Sequence, residues 1–181
     1  MPDLRIAPVR DEGTLRDWRH VHNVIVPPAA LSLDEVRERN GRHRLENAYL
    51  GDVLVGCSTV RPPEGEDAVA TVIARVLPEH RRGGIGTALY ENGLAHARVL
   101  GAKAVETVVL AANEDGVRFA GAHGFTETER YVLVGETDLW LTLRLTVPEG
   151  WFPLRGSVRA QRFLRTLQSC GNSVCAGSRS S

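Results

Sequence analysis

The run His80-Arg81-Arg82-Gly83-Gly84-Ile85-Gly86 sets two arginines and three glycines directly ahead of a stretch with helical periodicity. Glycine tolerates positive φ and lets the main chain approach a ligand closely, while a helix start offers unpaired N–H groups and the positive end of its dipole. With guanidinium charge beside them, these parts suit an anion, and a pyrophosphate uses all of them. A glycine-rich turn with solvated arginines is the plainer alternative. Two other phosphate loops fit less well. A P-loop needs lysine after its last glycine, where this chain has Thr87. A dinucleotide fingerprint needs a third glycine, where this chain has Leu89, although Glu106 lies at about the right distance.

The elements that position this loop can be read from pattern. Leu4 to Arg10 alternates as a first strand, Thr14 to Val24 has helical spacing, and Pro27-Pro28 ends it. Leu31 to Arg42 is a second helix, with Ser32 and Glu35 in capping-box positions. Arg44–Leu50 and Val53–Arg61, joined by Gly51-Asp52, read as a hairpin, and Ala68–Leu77 adds a third strand to an antiparallel meander. The helix from Gly84 to Leu100 gathers Ile85, Leu89, Tyr90, Leu94 and Ala97 on one arc, and Gly101 stops it. Ala104–Leu110 is almost wholly apolar, as in a doubly buried parallel strand, so residues 68–110 form a crossover unit. Asn113 caps a fourth helix that Gly124 stops, and strands at Glu129–Val134 and Asp138–Leu145 complete the sheet.

At Arg81-Arg82-Gly83-Gly84-Ile85-Gly86 the chain resembles the GNAT N-acetyltransferase superfamily, whose signature is Arg or Gln, two residues, Gly, one residue, then Gly or Ala. The wider run VLPEHRRGGIGTALYENGLAHA, Asn113 and His123-Gly124-Phe125 are similar to the family pattern, and the resemblance extends from about Leu4 to Leu145. It implies an α+β fold: a mixed sheet of about seven strands, with strands 2–4 as the meander, a crossover from strand 4 through helix 3 to strand 5, and four main helices. It also implies an acetyl-CoA-dependent N-acetyltransferase acting directly on a primary amine. Acetyl-CoA would serve as cosubstrate, with no metal. The cofactor-binding positions carried over are Ala74, Val76, Arg81, Arg82, Gly83, Gly84, Ile85, Gly86, Thr87 and Asn113. Ala74 and Val76 would offer strand backbone to the pantetheine arm, and a bulge near Val76 would free an N–H for the thioester oxygen.

Direct transfer needs a neutral amine, yet an unperturbed alkylamine of pKa about 10.4 is neutral in only roughly one molecule in two thousand at pH 7. Glu46 and His80 are the candidate bases, neither one decisive. Many relatives carry an acid tyrosine where this chain has Ala120, so His123 and Tyr131 stand as substitutes. Cys57 has no evident histidine partner for covalent catalysis. Trp18, Asp34 and Glu35 are candidate acceptor-pocket residues, each with an ordinary helix-face reading as well. A CoA-binding module with lost catalysis, or a transferase for another acyl-CoA, is the competing reading.

Composition bounds the rest. Lys plus Arg equals Asp plus Glu at 22 each, so no overall field favours nucleic acid, and no apolar run reaches the roughly 18 residues a membrane span requires. The expectation is a cytoplasmic protein that does not engage membranes and accepts a small-molecule, peptide or protein amine. The domain division expected is 1–145 for the transferase domain and 146–181 for a basic tail, which holds five arginines against Glu149. A short helix at Val158–Gln168, disorder in the last dozen residues, and packing of Trp151 and Phe152 on their own domain or on a second copy in a homodimer are expected there. Cys170 and Cys175 lack the companion ligands of a metal clip.

Overall fold

The computed structural model describes residues 3–145. The expectations for the tail, its helix, its disorder and a homodimer contact lie outside the described residues. Seven strands form one mixed sheet in the order β1-β2-β3-β4-β5-β7-β6, with four α-helices among the described residues. The strands are β1 (Leu4–Pro8), β2 (Arg44–Leu50), β3 (Val53–Glu64), β4 (Val69–Val76), β5 (Ala104–Leu110), β6 (Phe125–Val132) and β7 (Leu139–Leu145). The helices are α1 (Glu12–Ile25), α2 (Leu33–Arg42), α3 (Ile85–Val99) and α4 (Glu114–Ala122). β4 and β5 form the parallel pair, linked through α3, and the other pairings are antiparallel. The sheet and helices agree with the α+β architecture expected.

The sequence places the helix starts through their caps. Asp11 Oδ1 accepts from Thr14 N at 2.8 Å, and the Thr14 hydroxyl takes the Asp11 N–H at 3.0 Å, so α1 starts at Glu12 rather than Thr14. Ser32 and Glu35 close the capping box anticipated for α2, which begins after the cap at Leu33. β3 runs past Arg61 through Pro62 and Pro63. Prolines have no N–H to donate, so its ladder with β4 jumps from Arg61↔Thr71 to Glu64↔Val69. β6 begins at Phe125, four residues earlier than the Glu129 expected, because Gly124 at φ +84° turns the chain straight from α4 into the strand. Its run Thr126–Arg130 is exposed, so it lacks the apolar alternation by which a strand is recognised.

Apolar side chains fill both faces of the sheet. Leu15, Trp18 and Val21 of α1 and Val36 of α2 pack on Leu45 and Cys57 on one face. Ile85 and Leu89 of α3 pack on Ala48 and Val55 on the other. Trp18 is fully buried, and its indole N–H donates to the Ser58 carbonyl at 2.9 Å. Two helix layers over one sheet hold β4 rigidly, and the site is built along that strand.

Candidate active site

β4 and β5 pair at Val69↔Ala104, Ala70↔Val105 and Thr71↔Glu106, and no further. Beyond Thr71 the two strands part, and the β5-facing backbone edge of Val72 to Val76 is left without a strand partner. No bulge frees an N–H near Val76, contrary to the sequence expectation: Gly56↔Val76 and Cys57↔Arg75 are in regular register, so divergence of the strands opens the edge instead. A cavity of about 500 Å³ occupies the gap. It extends from the α3–α4 side, at Gly84, Thr87 and Phe119, to the α1 side, at Ile25, Val26 and Trp140.

The loop expected to take an anion lies at its α3 end. Side chains cap three of the helices, through Asp11, Ser32 and Asn113, but α3 starts at Gly84 with no side-chain cap. The first backbone N–H groups of α3 are therefore free for a ligand. Gly84 has φ +79°, and Arg82, not Gly83, takes the second left-handed position at φ +66°. That conformation is strained for a residue with a Cβ, and such strain concentrates where a loop is shaped for binding. A Cβ on Gly86 would stand 3.4 Å from the Phe119 ring, so the glycine keeps the floor of this end low.

The loop's arginines already have an anion. Arg81 Nη1 donates to Asp115 Oδ2 at 3.1 Å, while Arg82 Nη2 and Arg118 Nη2 reach Asp115 Oδ1 at 3.2 and 3.0 Å. Arg81 Nε also donates to the Val76 carbonyl at 3.3 Å, on the strand end that β5 has left. Asp115 and Arg118 carry no motif of their own, and the sequence shows Asp115 only as a helix-start acid. Of the ten cofactor positions expected, Ala74, Val76, Arg81, Arg82, Gly84, Gly86, Thr87 and Asn113 line the cavity. Ile85 instead turns into the α3 core, and Gly83 is an exposed loop residue. Asn113 both lines the cavity and caps α4, its Oδ1 accepting from Gly116 N at 3.2 Å.

Residues 12–125, well over half the chain and spanning this loop and strand pair, match the acetyltransferase (GNAT) family model. The chain belongs to the GNAT family. Solved structures repeat the fold at low identity. A Salmonella typhimurium protein solved with its cofactor acetyl-CoA is 17% identical, with TM-score 0.62 over 84% of this chain and 99% of that one. The ribosomal-protein-S18-alanine N-acetyltransferase of Escherichia coli is 17% identical, with TM-score 0.63 over 82% and 98%. The Vibrio cholerae spermidine N-acetyltransferase is 18% identical, with TM-score 0.61 over 78% and 92%. No curated protein sequence matches the chain significantly.

Within this GNAT fold the candidate bases and acids stand apart from the cavity wall. Glu46 is 3% exposed and faces α3, held by Arg44 Nη2 at 2.8 Å, Asn92 Nδ2 at 2.6 Å and His96 Nε2 at 3.6 Å. Burial pushes its pKa up, but His96 and Arg44 outweigh that and leave it below the usual glutamate value. His80 sits in the turn before the loop, and the His123 ring lies tilted against Phe119, centroids 4.1 Å apart. Tyr131 packs in the apolar cluster of Trp140, Leu110 and Val26 that borders the cavity. Burial pushes the Cys57 thiol up to about 11, which removes it as a nucleophile near neutral pH. Asp34 and Glu35 are spent on Arg37 and the α2 cap at the surface.

Ala120, the position at which the family resemblance implies a tyrosine, is buried and lines the cavity. Tyr90, from α3, lines the same wall, its ring edge-on to Phe119 and Phe125 at 6.1 and 5.7 Å. Its hydroxyl is pushed up to about 12, chiefly by burial, so it stays protonated at physiological pH. The sequence shows Tyr90 only as part of an apolar arc.

Proposed function

We propose that the chain is an N-acetyltransferase that carries the acetyl group of acetyl-CoA directly to a primary amine. The observation that supports this best is the parting of β4 from β5 directly beside an uncapped, glycine-led helix start. The α3 N–H groups, with Arg81, Arg82 and Arg118, fit a pyrophosphate. The open edge of Val72–Val76 fits the amides of a pantetheine arm. When bound, acetyl-CoA supplies the activated thioester; the chain supplies orientation, exclusion of water and donors around the gap.

The reaction balances without a covalent enzyme intermediate. The neutral amine nitrogen forms a bond to the acetyl carbon, the carbon–sulfur bond breaks, CoA leaves as thiolate, and the nitrogen loses its proton to solvent. A thiolate of pKa about 8.5 departs without an acid, in keeping with Ala120 at the tyrosine position. Burial in a cavity with mostly apolar walls favours the neutral amine. Acceptors range over small amines and peptide or protein termini, and cytoplasmic acetyl-CoA is the natural source of the acetyl group.

Thiol release from acetyl-CoA over a panel of amines tests the reading, with calorimetric CoA binding in parallel. Turnover with a 1:1 CoA stoichiometry supports it. Tight CoA binding without turnover on any amine replaces it with a non-catalytic CoA-binding module, and turnover restricted to a longer acyl-CoA changes the donor.

A further inference from the structure

The α1 side of the cavity holds a half-buried cation with no carboxylate partner among the described residues and a buried donor with no acceptor. Arg75 lines the cavity and, opposite Cys57, faces the α1–α2 layer. Its guanidinium has five N–H donors, but its one close oxygen is the Thr59 hydroxyl, 3.3 Å from Nη1, with the Cys57 sulfur beside it. The Trp18 ring covers it at 5.7 Å. No carboxylate pairs with it among the described residues, and its charged neighbours from α2 and β3, Arg39 and Arg61, repel it. His22 of α1 stacks on Trp18 and is held neutral, its pKa pushed down to about 3 chiefly by burial, so it adds no further positive charge beside Arg75. Trp140 lines the same side, is 9% exposed, and its Nε1 is fully buried with no hydrogen-bond partner.

Buried donors without acceptors are costly, and a half-buried cation without an anion more so. On a cavity wall, a ligand that completes them is one explanation for their persistence. The one carboxylate on the cavity wall among the described residues, Asp115, is across the gap and already engaged by three arginines. The remaining wall on the α1 side is apolar, formed by Ile25, Val26, Ile73 and Leu110.

Building on the transferase reading, we propose that the acceptor is an amine that also carries a carboxylate on an apolar body, as an α-amino acid with an aliphatic, thioether or aromatic side chain does. The carboxylate is taken by Arg75 and the Trp140 indole N–H, and the apolar wall receives the side chain. Polyamines, which need an acidic group for their second ammonium, are excluded by the same wall.

The test uses the full-length protein saturated with CoA, titrated calorimetrically with L-leucine, L-methionine and L-phenylalanine and with the amide and decarboxylated amine of each. The same panel is run for turnover with acetyl-CoA. At least one amino acid is expected to bind and react at least tenfold better than its amide and amine. R75M and W140F should each erase most of that preference by weakening the amino acid alone, while R75K keeps part of it. R75M should also melt no lower than wild type, since an unpaired cation is being removed; a purely structural arginine would give the opposite shift. Should R75M fail to fold, W140F and R75K carry the test. Carboxylate-selective, Arg75-dependent binding with no turnover leaves this site standing and overturns the transferase reading. Equal or better binding of the amides or amines, a preference that survives both R75M and W140F, or no binding of any amino acid in the panel overturns the proposal.

Discussion

Arg81 reaches across 34 residues of sequence to Asp115, with Nη1 3.1 Å from Oδ2. On the transferase reading the carboxylate sits among the arginines proposed for a diphosphate, and the two anions would compete for the same donors. Asp115→Asn should lower the dissociation constant for CoA by about three- to tenfold and steepen its salt dependence, because charge-assisted donors are released without losing the α4 start. Calorimetry at two ionic strengths reads this out. Weaker CoA binding in D115N would instead make Asp115 a support that aims the arginines.

Gly56 is packed against the strand that borders the cavity. A Cβ there would stand 2.5 Å from the Arg75 carbonyl oxygen and 3.1 Å from Leu89 Cδ1, and the first of these is main chain that cannot rotate away. Gly56→Ala is expected to cost about 2 kcal/mol or more, lowering Tm by about 5 °C. A thermal melt within a degree of wild type would contradict this.

His22 is neutral in the fold at any ordinary pH. Its folded pKa of about 3 lies below the unfolded value of about 6.5, so its contribution to stability is complete above that unfolded value and drains away as pH falls toward 3. By pH 5 this one residue removes about 2 kcal/mol. Urea unfolding at pH 7 and pH 5 should show that difference shrinking in His22→Gln.

Glu46 is bound up in the α3 interface rather than aimed at substrate. Glu46→Gln leaves Arg44 and His96 without their carboxylate and should destabilise the domain by about 3 kcal/mol, while the folded protein keeps its turnover within a few-fold. A hundredfold fall in kcat with an unchanged melting temperature would restore it as a base.

The sequence made the fold visible where local chemistry decides it. Ser32 and Glu35 close a box that three-residue spacing already implies, and Gly51 at φ +59° turns the hairpin that its neighbours frame. The glycine loop is equally legible, since its glycines, arginines and helix start are contiguous. What stayed hidden depends on distant pairing. Nothing near Asp115 in the chain announces Arg81 and Arg82, and nothing around Arg75 or Trp140 tells that both line one cavity, the first without a carboxylate and the second without an acceptor. Glu46 reads from the sequence as a candidate base that could enter the crevice or face water, and only α3 shows it held by Asn92 and His96. β6 escaped because five consecutive exposed residues carry no period for a reader to find.

The strand ends that separate after Thr71 lie in the middle of the sheet, not on its rim. An unsatisfied main-chain edge on a rim invites another chain to add itself, a familiar route to aggregation. Here β4 and β5 are flanked by their other neighbours, so the hydrogen-bonding appetite is kept indoors. Only a slim, extended guest with amide groups of its own can answer it, and a folded neighbour cannot.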